Sequence, residues 1–566
     1  MSDFPRRFVP ADCDLGEWPQ LQSLFDLLLG RAVATAADLE QWLLDMSELA
    51  SCLAEERARR YIDMTCNTED EEIEQRYLHF LETIDPQCKP YWHNLNEMYV
   101  ASPLRSELPQ DRYGVYDRTT EAEIKLFRKD NIPLQTEAAK QSQRYQKLCG
   151  AMMVEFDGAE RTLPQMGKYL EETERDRRQG AWAVVAQRRL QERDDFNAIF
   201  DELVRLRHQI AQNAGFEDYV GYAFLNYKRF DYTPQHCFDF HQAVETCVVP
   251  LARRLNDERK AALKVDSLRP WDLSVDPLGR SPLRPFQAGE DLLHGVKRII
   301  HHYDEELSAQ LAEMYAQGEL DLESRKGKAP GGYQYTLEEV RRPFIFMNAA
   351  GLQRDVETLL HEAGHAFHAI ASRNEPLVDY RSSPIEFAEV ASMSMELFGQ
   401  DYFEEFYSKD DALRAKRLHL EGVIKILPWI AQIDAFQHWI YTHPTHTRDE
   451  RTAQWLELSE RFGGGVDWTG FEEVQQSLWQ RQLHLYCHAF YYIEYGIAQL
   501  GALQLWGRYK VDSADALRRY RQALALGGSR PLPKLFEAAG IHFDFSEATI
   551  KPLTETIEAE LKTLPL

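Results

Sequence analysis

Several common sequence signals are absent, and each absence removes a class of protein. The eight cysteines, at 13, 52, 66, 88, 149, 237, 247 and 487, include no Cys-x-x-Cys pair and no dense framework, so they read as reduced, mostly buried thiols of a cytosolic protein. No run approaches the roughly 18 apolar residues of a membrane helix, so a membrane is not expected as a partner. Between Met1 and Gln20, Arg6 and Arg7 are followed by Pro10, Asp12, Asp14 and Glu17 instead of the apolar stretch of a secretory signal. A cytoplasmic location is therefore expected. Positive charge is in deficit: 65 Lys and Arg stand against 91 Asp and Glu, a formal net charge of -26. Such a chain repels a phosphate backbone, so nucleic acid is not expected as a partner. No internal repeat occurs at solenoid periods, which argues against a stacked helical array.

What is present is an ordinary folded composition, 44% apolar and 11% aromatic over 566 residues, with no low-complexity tract. Helical periodicity dominates. Phe196, Ile199, Phe200, Leu203, Leu206 and Ile210 recur at spacings of three and four and predict an amphipathic helix. Before them, Glu171 to Arg193 mixes both signs of charge, as a solvated helical face does. Loops or hinges are expected at Ser102–Gly114, Asp157–Pro164, Leu268–Gly289, Arg325–Gln334, Gly463–Gly465 and Gly527–Pro533. Period-2 alternation is almost missing, and the best short strand is Pro343 to Asn348. The fold class is mainly α, with at most a small sheet.

Chemistry concentrates in Asp355-Val-Glu-Thr-Leu-Leu-His361-Glu362-Ala-Gly-His365-Ala-Phe-His368, which holds His-Glu-x-x-His within a helical pattern. Residues four apart share a helix face, so both imidazoles reach one ion while Glu362 stands beside it as a general base. A catalytic zinc takes three protein ligands, so a third must come from elsewhere. Ser383-Pro-Ile-Glu386-Phe-Ala-Glu389-Val-Ala-Ser-Met-Ser-Met-Glu396 offers three glutamates on one face of a helix that Pro384 suits as a start. By spacing alone, any of the three serves. The small and apolar residues beside them suggest burial, and a buried carboxylate needs a cation or donors. His368 is drawn along the helix axis and is expected to pack beside the site. His301 and His302, and the group His438, His443 and His446, lack matched carboxylates and read as packing or solvated histidines.

A second constellation is His484-Leu-Tyr-Cys-His488-Ala-Phe-Tyr491-Tyr492-Ile-Glu-Tyr495. Imidazole and phenol donors in a water-poor site stabilise the oxyanion formed when water attacks a carbonyl. On a continuous helix Tyr492 and Tyr495 stand at i and i+3, with His488 one turn before. The bland reading is an aromatic core stripe.

Taken together, these stretches resemble the oligoendopeptidase F branch of the thimet oligopeptidase family of zinc metallopeptidases. The likeness runs from about Asn213 onwards. It is carried by Asn213–Tyr219, Arg229–Pro234, Arg269–Leu273, Lys326–Gly332, Pro343–Asn348, the His361 motif, Phe387–Ser392, Tyr491–Gly496 and Gly527–Pro533. The resemblance implies a two-lobed helical ellipsoid around a deep substrate channel, with a small β-sheet near the active site. It divides the chain into an N-terminal helical lobe, residues 1–140, and a catalytic region, residues 141–566. It implies one zinc ion per chain and cleavage of short to medium unstructured oligopeptides.

Carried over residue by residue, the family's Phe-x-Glu-x-x-Ser pattern falls on Phe387, Glu389 and Ser392. It selects Glu389 as the third ligand beside His361 and His365, and leaves Glu396 to orient a ligand. The Gly-rich Lys326–Gly332 is implied as a mobile substrate-contacting loop, and Pro343–Asn348 as an edge strand able to pair with substrate backbone. In the tyrosine region the pattern aligns only with a one-residue gap. The implied oxyanion donors are His484, with His488 as its alternative, and Tyr492 and Tyr495, with Tyr491 in reserve. The expected reaction is hydrolysis by metal-activated water, with Glu362 taking the proton and no acyl-enzyme. The rival readings are a catalytically inactive peptide-binding or structural zinc protein of the same fold, and an aminopeptidase using the same motif.

Overall fold

The computed structural model describes residues 4–325, 327–329 and 331–566. Helices carry most of the regular structure, and the strands form two small sheets. The mainly helical class expected from the periodicity is what the chain adopts. Two compact units interleave along the sequence. One takes the residues up to Ile132, Pro285–Phe406 and Gly501–Phe543; the other takes Pro133–Arg284, Tyr407–Leu500 and Asp544–Leu566. Among the described residues no helix is long and apolar enough to cross a membrane. No disulfide occurs among them either: Cys52, Cys88 and Cys237 are buried, and the other five thiols are only partly so.

In the first unit, Ala36–Cys66 starts as a helix because Thr35 and Asp38 cap it reciprocally. The Asp38 N–H donates to Thr35 Oγ1 at 3.2 Å, and the Asp38 carboxylate accepts from the Thr35 N–H at 3.0 Å. Its apolar face, Leu39, Trp42, Leu43, Met46 and Leu49, is buried with Phe25, Tyr99, Tyr113 and Tyr380. Each such side chain removed from water contributes roughly 1.5–3 kcal/mol.

Five strands are present among the described residues: β1 (Met153–Phe156), β2 (Ala159–Thr162), β3 (Leu320–Glu323), β4 (Tyr333–Leu337) and β5 (Arg342–Ala349). β1 and β2 form a hairpin in the second unit, turned by Asp157 and Gly158, both at positive φ (57° and 71°). That is the turn geometry whose twist matches paired strands. The other three strands form a sheet of the first unit in the order β3-β5-β4, with β5 parallel to β3 and antiparallel to β4.

The segment Pro343–Asn348 is therefore central and not the edge strand implied by the resemblance. The reason lies in its composition. Ile345, Phe346 and Met347 are consecutive and almost fully buried, and a strand apolar on both faces belongs inside a sheet. Beyond the reach of β4, the Met347 carbonyl is taken by Lys328 Nζ, and Asn348 Nδ2 donates to the Ala329 and Gly331 carbonyls.

In the second unit, the periodic residues from Phe196 to Ile210 are buried on the helix Arg193–Asn213, as expected. The mixed-charge stretch before it contains the helix Arg175–Gln191. The 34-residue helix Lys409–Thr442 runs through the interior of this unit and buries Leu420, Ile424, Leu427, Ile430, Ile433 and Phe436.

Candidate metal centre

The motif lies on the helix Gln353–Ser372, which follows β5 directly. Asp355 fixes its start: one carboxylate oxygen accepts from the Ala350 N–H at 2.8 Å and the Leu352 N–H at 2.9 Å. Donors that would otherwise be orphaned at the helix N-terminus are satisfied in this way. The glutamate-bearing helix Ile385–Gly399 begins just after Pro384. The two helices touch at Gly364, inside the motif, where a β-carbon would stand 2.6 Å from Ser392 Cα and 2.7 Å from the Ala391 carbonyl oxygen. Only glycine permits that approach. Tyr520 steadies the same point by donating its hydroxyl to the Ala391 carbonyl at 2.9 Å.

This approach brings His361, His365 and Glu389 together, with one donor atom from each lying within 4.8 Å of the others. Glu389 Oε2 is 3.2 Å from His361 Nε2 and 3.5 Å from His365 Nε2. Ligands of one tetrahedral ion, bound at about 2.0–2.1 Å, stand roughly 3.3 Å apart, so the donor set fits zinc in kind and spacing. Ser392 Oγ donates to the same Glu389 oxygen at 3.0 Å. On the far side of His361, Nδ1 is 2.7 Å from Glu396 Oε1. A carboxylate placed there fixes the ring and makes Nε2 a better ligand. Glu386 is buried on the same helix but lies outside this donor group.

The side chains of this group shift one another's ionisation. Burial alone would push the Glu389 carboxyl up, but His365 and His361 outweigh it and hold the group well below the usual carboxylate range. Burial alone would lower His361, yet Glu389 and Glu396 outweigh it and hold the ring well above its ordinary value. Two carboxylates thus draw positive charge to one imidazole, at the position where a divalent ion would sit. The His361 and His365 side chains keep 21% and 18% of their surface exposed, so the group opens on one side.

Glu362 is 6% exposed, and burial raises its pKa against the pull of His361 and His365. A raised carboxylate pKa suits a group that must take a proton and return it. The end of the Gly-rich segment borders it: a β-carbon on Gly332 would stand 3.8 Å from Glu362 Oε1. Within that segment Lys326 and Pro330 lie outside the described residues. Its neighbours are tied down, since Lys328 Nζ donates to the Asp321 and Glu323 carbonyls, and the backbone of Gly327 and Ala329 pairs with Thr68 and Thr65. His368 is buried and packs beside Ser383, with Oγ 3.4 Å from Nε2. Its pKa is pushed down to about 4 by burial and by His365.

His484, Tyr492 and Tyr495 belong to the second unit and gather among themselves. The His484 ring centroid is 4.9 Å from that of Tyr492 and 5.6 Å from that of Tyr495, and Tyr495 Oη lies 3.5 Å from His484 Nε2. They do not ride on one continuous helix. The helix Leu483–Cys487 ends, Phe490 takes a left-handed φ of 69°, and Tyr492 precedes the next helix, Ile493–Val511. Two buried arginines stabilise the break. Arg207 Nη1 donates to the Leu485 carbonyl at 2.8 Å, and Arg229 Nη2 donates to the Phe490 carbonyl and to Glu494 Oε1 at 2.8 Å. Sequence reasoning missed both arginines; a charged residue inside an apolar helical stripe, as Arg207 is, was the available signal. Burial pushes the Tyr492 phenol up to about 12. His488 and Tyr491 flank the group, their ring centroids 6.0 Å apart.

Of the remaining histidines, His302 stacks on Tyr402 and meets Glu405 at 2.7 Å, while His443 bonds the Trp439 carbonyl at the end of the helix before it and His446 bonds the His443 carbonyl. These match the packing or solvated reading. His438 does not. It is buried one helical turn after Asp434, and with Cys237 the two form a second group of closely spaced donor atoms. The carboxylate that the sequence reading found lacking is Asp434.

Comparison with known proteins gives the family. The model of peptidase family M3 matches residues 168–555, and that of the peptidase M3 N-terminal domain matches residues 16–127. Oligopeptidase PepF of Bacillus subtilis (strain 168) is 24% identical over 300 residues, 52% of this chain and 44% of that protein. The plasmid oligoendopeptidase F of Lactococcus lactis subsp. cremoris is 24% identical over 327 residues, 56% of this chain and 52% of that protein. The matches thus span about half the length of these curated relatives. Among solved structures, PZ peptidase A with an inhibitor superposes with a TM-score of 0.93 at 29% identity, over 99% of both chains.

Proposed function

The chain belongs to peptidase family M3, in its oligoendopeptidase F branch, and from that premise we propose that it is a cytoplasmic zinc metallo-endopeptidase that hydrolyses short to medium unstructured oligopeptides. The observation that carries the reading is the donor group itself: His361, His365 and Glu389 close together on an open side, with buried Glu362 next to His361 in sequence.

A zinc ion held by those three residues would polarise the scissile carbonyl and make water acidic enough to be deprotonated near neutral pH. Glu362 takes the proton from the attacking water and passes it to the leaving amine. Glu396 holds the His361 ring through Nδ1, and Ser392 holds the Glu389 carboxylate, so both ligands are pre-set. His484, Tyr492 and Tyr495 are proposed as donors to the oxyanion, on the resemblance and on their mutual packing. No serine or cysteine is needed as nucleophile.

The test is cleavage of an internally quenched peptide of about ten residues, blocked at both ends, with metal content measured before and after chelation and zinc add-back. Internal cleavage that disappears on chelation and returns with zinc supports the proposal. A fully zinc-loaded sample that cuts nothing in a mixed peptide pool would instead indicate a peptide-binding or structural zinc protein. Cleavage only of peptides with a free amino end would indicate an aminopeptidase.

A further inference from the structure

Away from the site just described, the second unit encloses a polar cluster in an apolar setting. Two helices supply it, each with a pair of residues one turn apart: Cys237 and His241 on Pro234–Ala243, and Asp434 and His438 on Lys409–Thr442. All four are buried, at 0%, 3%, 0% and 4% exposure. Residues at i and i+4 share a helix face, so each pair points at the other across the contact between the helices. The surroundings are apolar rings, with Phe238 and Phe490 at 4.9 and 5.1 Å from the His438 ring centroid.

The hydrogen bonding of the cluster does not close. His241 Nε2 meets Asp434 Oδ2 at 2.9 Å. Asp434 Oδ1 and His438 Nε2 are both buried with no hydrogen-bond partner among the described residues. His438 Nε2 stands 3.4 Å from Asp434 Oδ2, within ion-pair distance. A buried polar atom left unsatisfied costs about 1–3 kcal/mol, so a pair of them in one cluster calls for a partner. The same spacing is what two ligands of one tetrahedral ion adopt, and donor atoms of Cys237, Asp434 and His438 lie within 4.8 Å of one another.

We propose that Cys237, Asp434 and His438 form a second metal site, which binds zinc and clamps the helix Pro234–Ala243 to the helix Lys409–Thr442. The ligand chemistry selects the ion. A thiolate with an imidazole favours a borderline-soft divalent metal over magnesium or calcium, which take oxygen ligands. One carboxylate and one thiolate neutralise a divalent charge, which keeps the buried site free of net charge. His241 retains its hydrogen bond to Asp434 Oδ2 and orients that ligand, as outer groups of metal sites do. Three protein ligands leave one position of a tetrahedral ion, which a buried water would fill; the role is structural, because the cluster is buried throughout and offers no exposed side to a substrate. The second site shares no residue with the proposed catalytic centre.

The experiment is elemental analysis of the full chain after loading with zinc and gel filtration, alongside the absorption spectrum of the cobalt-loaded protein. Two zinc ions per chain are expected, falling to one in His361→Ala/His365→Ala and to one in Cys237→Ser/His438→Gln. Cobalt should give a near-ultraviolet thiolate charge-transfer band that persists in His361→Ala/His365→Ala and is lost in Cys237→Ser. The proposed catalytic ligands contain no thiolate, so the band reports this site alone. If the Cys237 variants do not fold, the metal content and cobalt spectrum of His361→Ala/His365→Ala decide the matter. A wild-type chain that holds one zinc, with none in His361→Ala/His365→Ala and no charge-transfer band, would overturn the proposal and leave a metal-free His-Asp-His cluster. Failure of the peptidase reading would leave the band unchanged.

Discussion

Gly364 and Ser392 touch backbone to backbone: a β-carbon on the glycine would stand 2.6 Å from the serine Cα. That contact lets a glutamate on one helix reach two histidines on another. Gly364→Ala should force the helices apart, costing about 1–3 kcal/mol in stability and weakening zinc binding at least ~10-fold, the scale on which disturbed support of a ligand is felt. Thermal unfolding and chelator competition measure the two effects. Unchanged zinc affinity would show that the contact does not set the position of Glu389.

Glu396 should matter for the metal without holding it. Glu396→Ala removes the 2.7 Å contact to His361 Nδ1, and the expected loss of zinc affinity is about 10–100-fold with one ion still bound per chain. Complete loss of zinc would make Glu396 a ligand instead of a support.

The buried His368 predicts a pH dependence of stability. Its pKa is about 4 in the folded chain against an ordinary 6.5, so below pH 6.5 the unfolded chain takes up a proton that the folded chain refuses. The contribution is therefore full above about pH 6.5 and is lost as the pH falls towards 4, at about 1.4 kcal/mol per pH unit. Urea unfolding of the chelated protein at pH 7, 6 and 5 should show this slope, and His368→Gln should flatten it. A parallel pH profile for the variant would place the titration elsewhere.

Tyr495→Phe should lower kcat by about 10²–10³, the scale for loss of one oxyanion donor, while moving KM far less. Unchanged kcat would assign the phenol to packing against His484.

The sequence disclosed the elements that obey a period. The helix Arg193–Asn213 and the motif helix lie where the 3.6-residue repeat puts them, because an apolar stripe must be buried whatever surrounds it. What stayed hidden depends on contacts between distant segments. Spacing alone left Glu386, Glu389 and Glu396 equivalent, whereas in the fold only Glu389 faces both histidines and Glu396 stands behind one of them. The strand Arg342–Ala349 is central because β3 and β4 flank it, and its own composition hinted at that through an unbroken apolar run. The turn at Phe490 contains no glycine to mark its positive φ, so the tyrosine stretch passes for one helix. Asp434 and Cys237 are nearly 200 residues apart in sequence, each an inconspicuous member of an i, i+4 pair, and only tertiary packing joins them.

Glu362→Gln asks whether Glu362 moves the proton at a metal held by its neighbours. The amide keeps the size of the side chain but cannot accept the proton from water. Zinc content should match that of the parent while cleavage of the end-blocked peptide falls by at least about 10²-fold, whereas His361→Ala should lose both that zinc and activity. A Glu362→Gln variant with full zinc and undiminished turnover would mean that Glu362 is not the base.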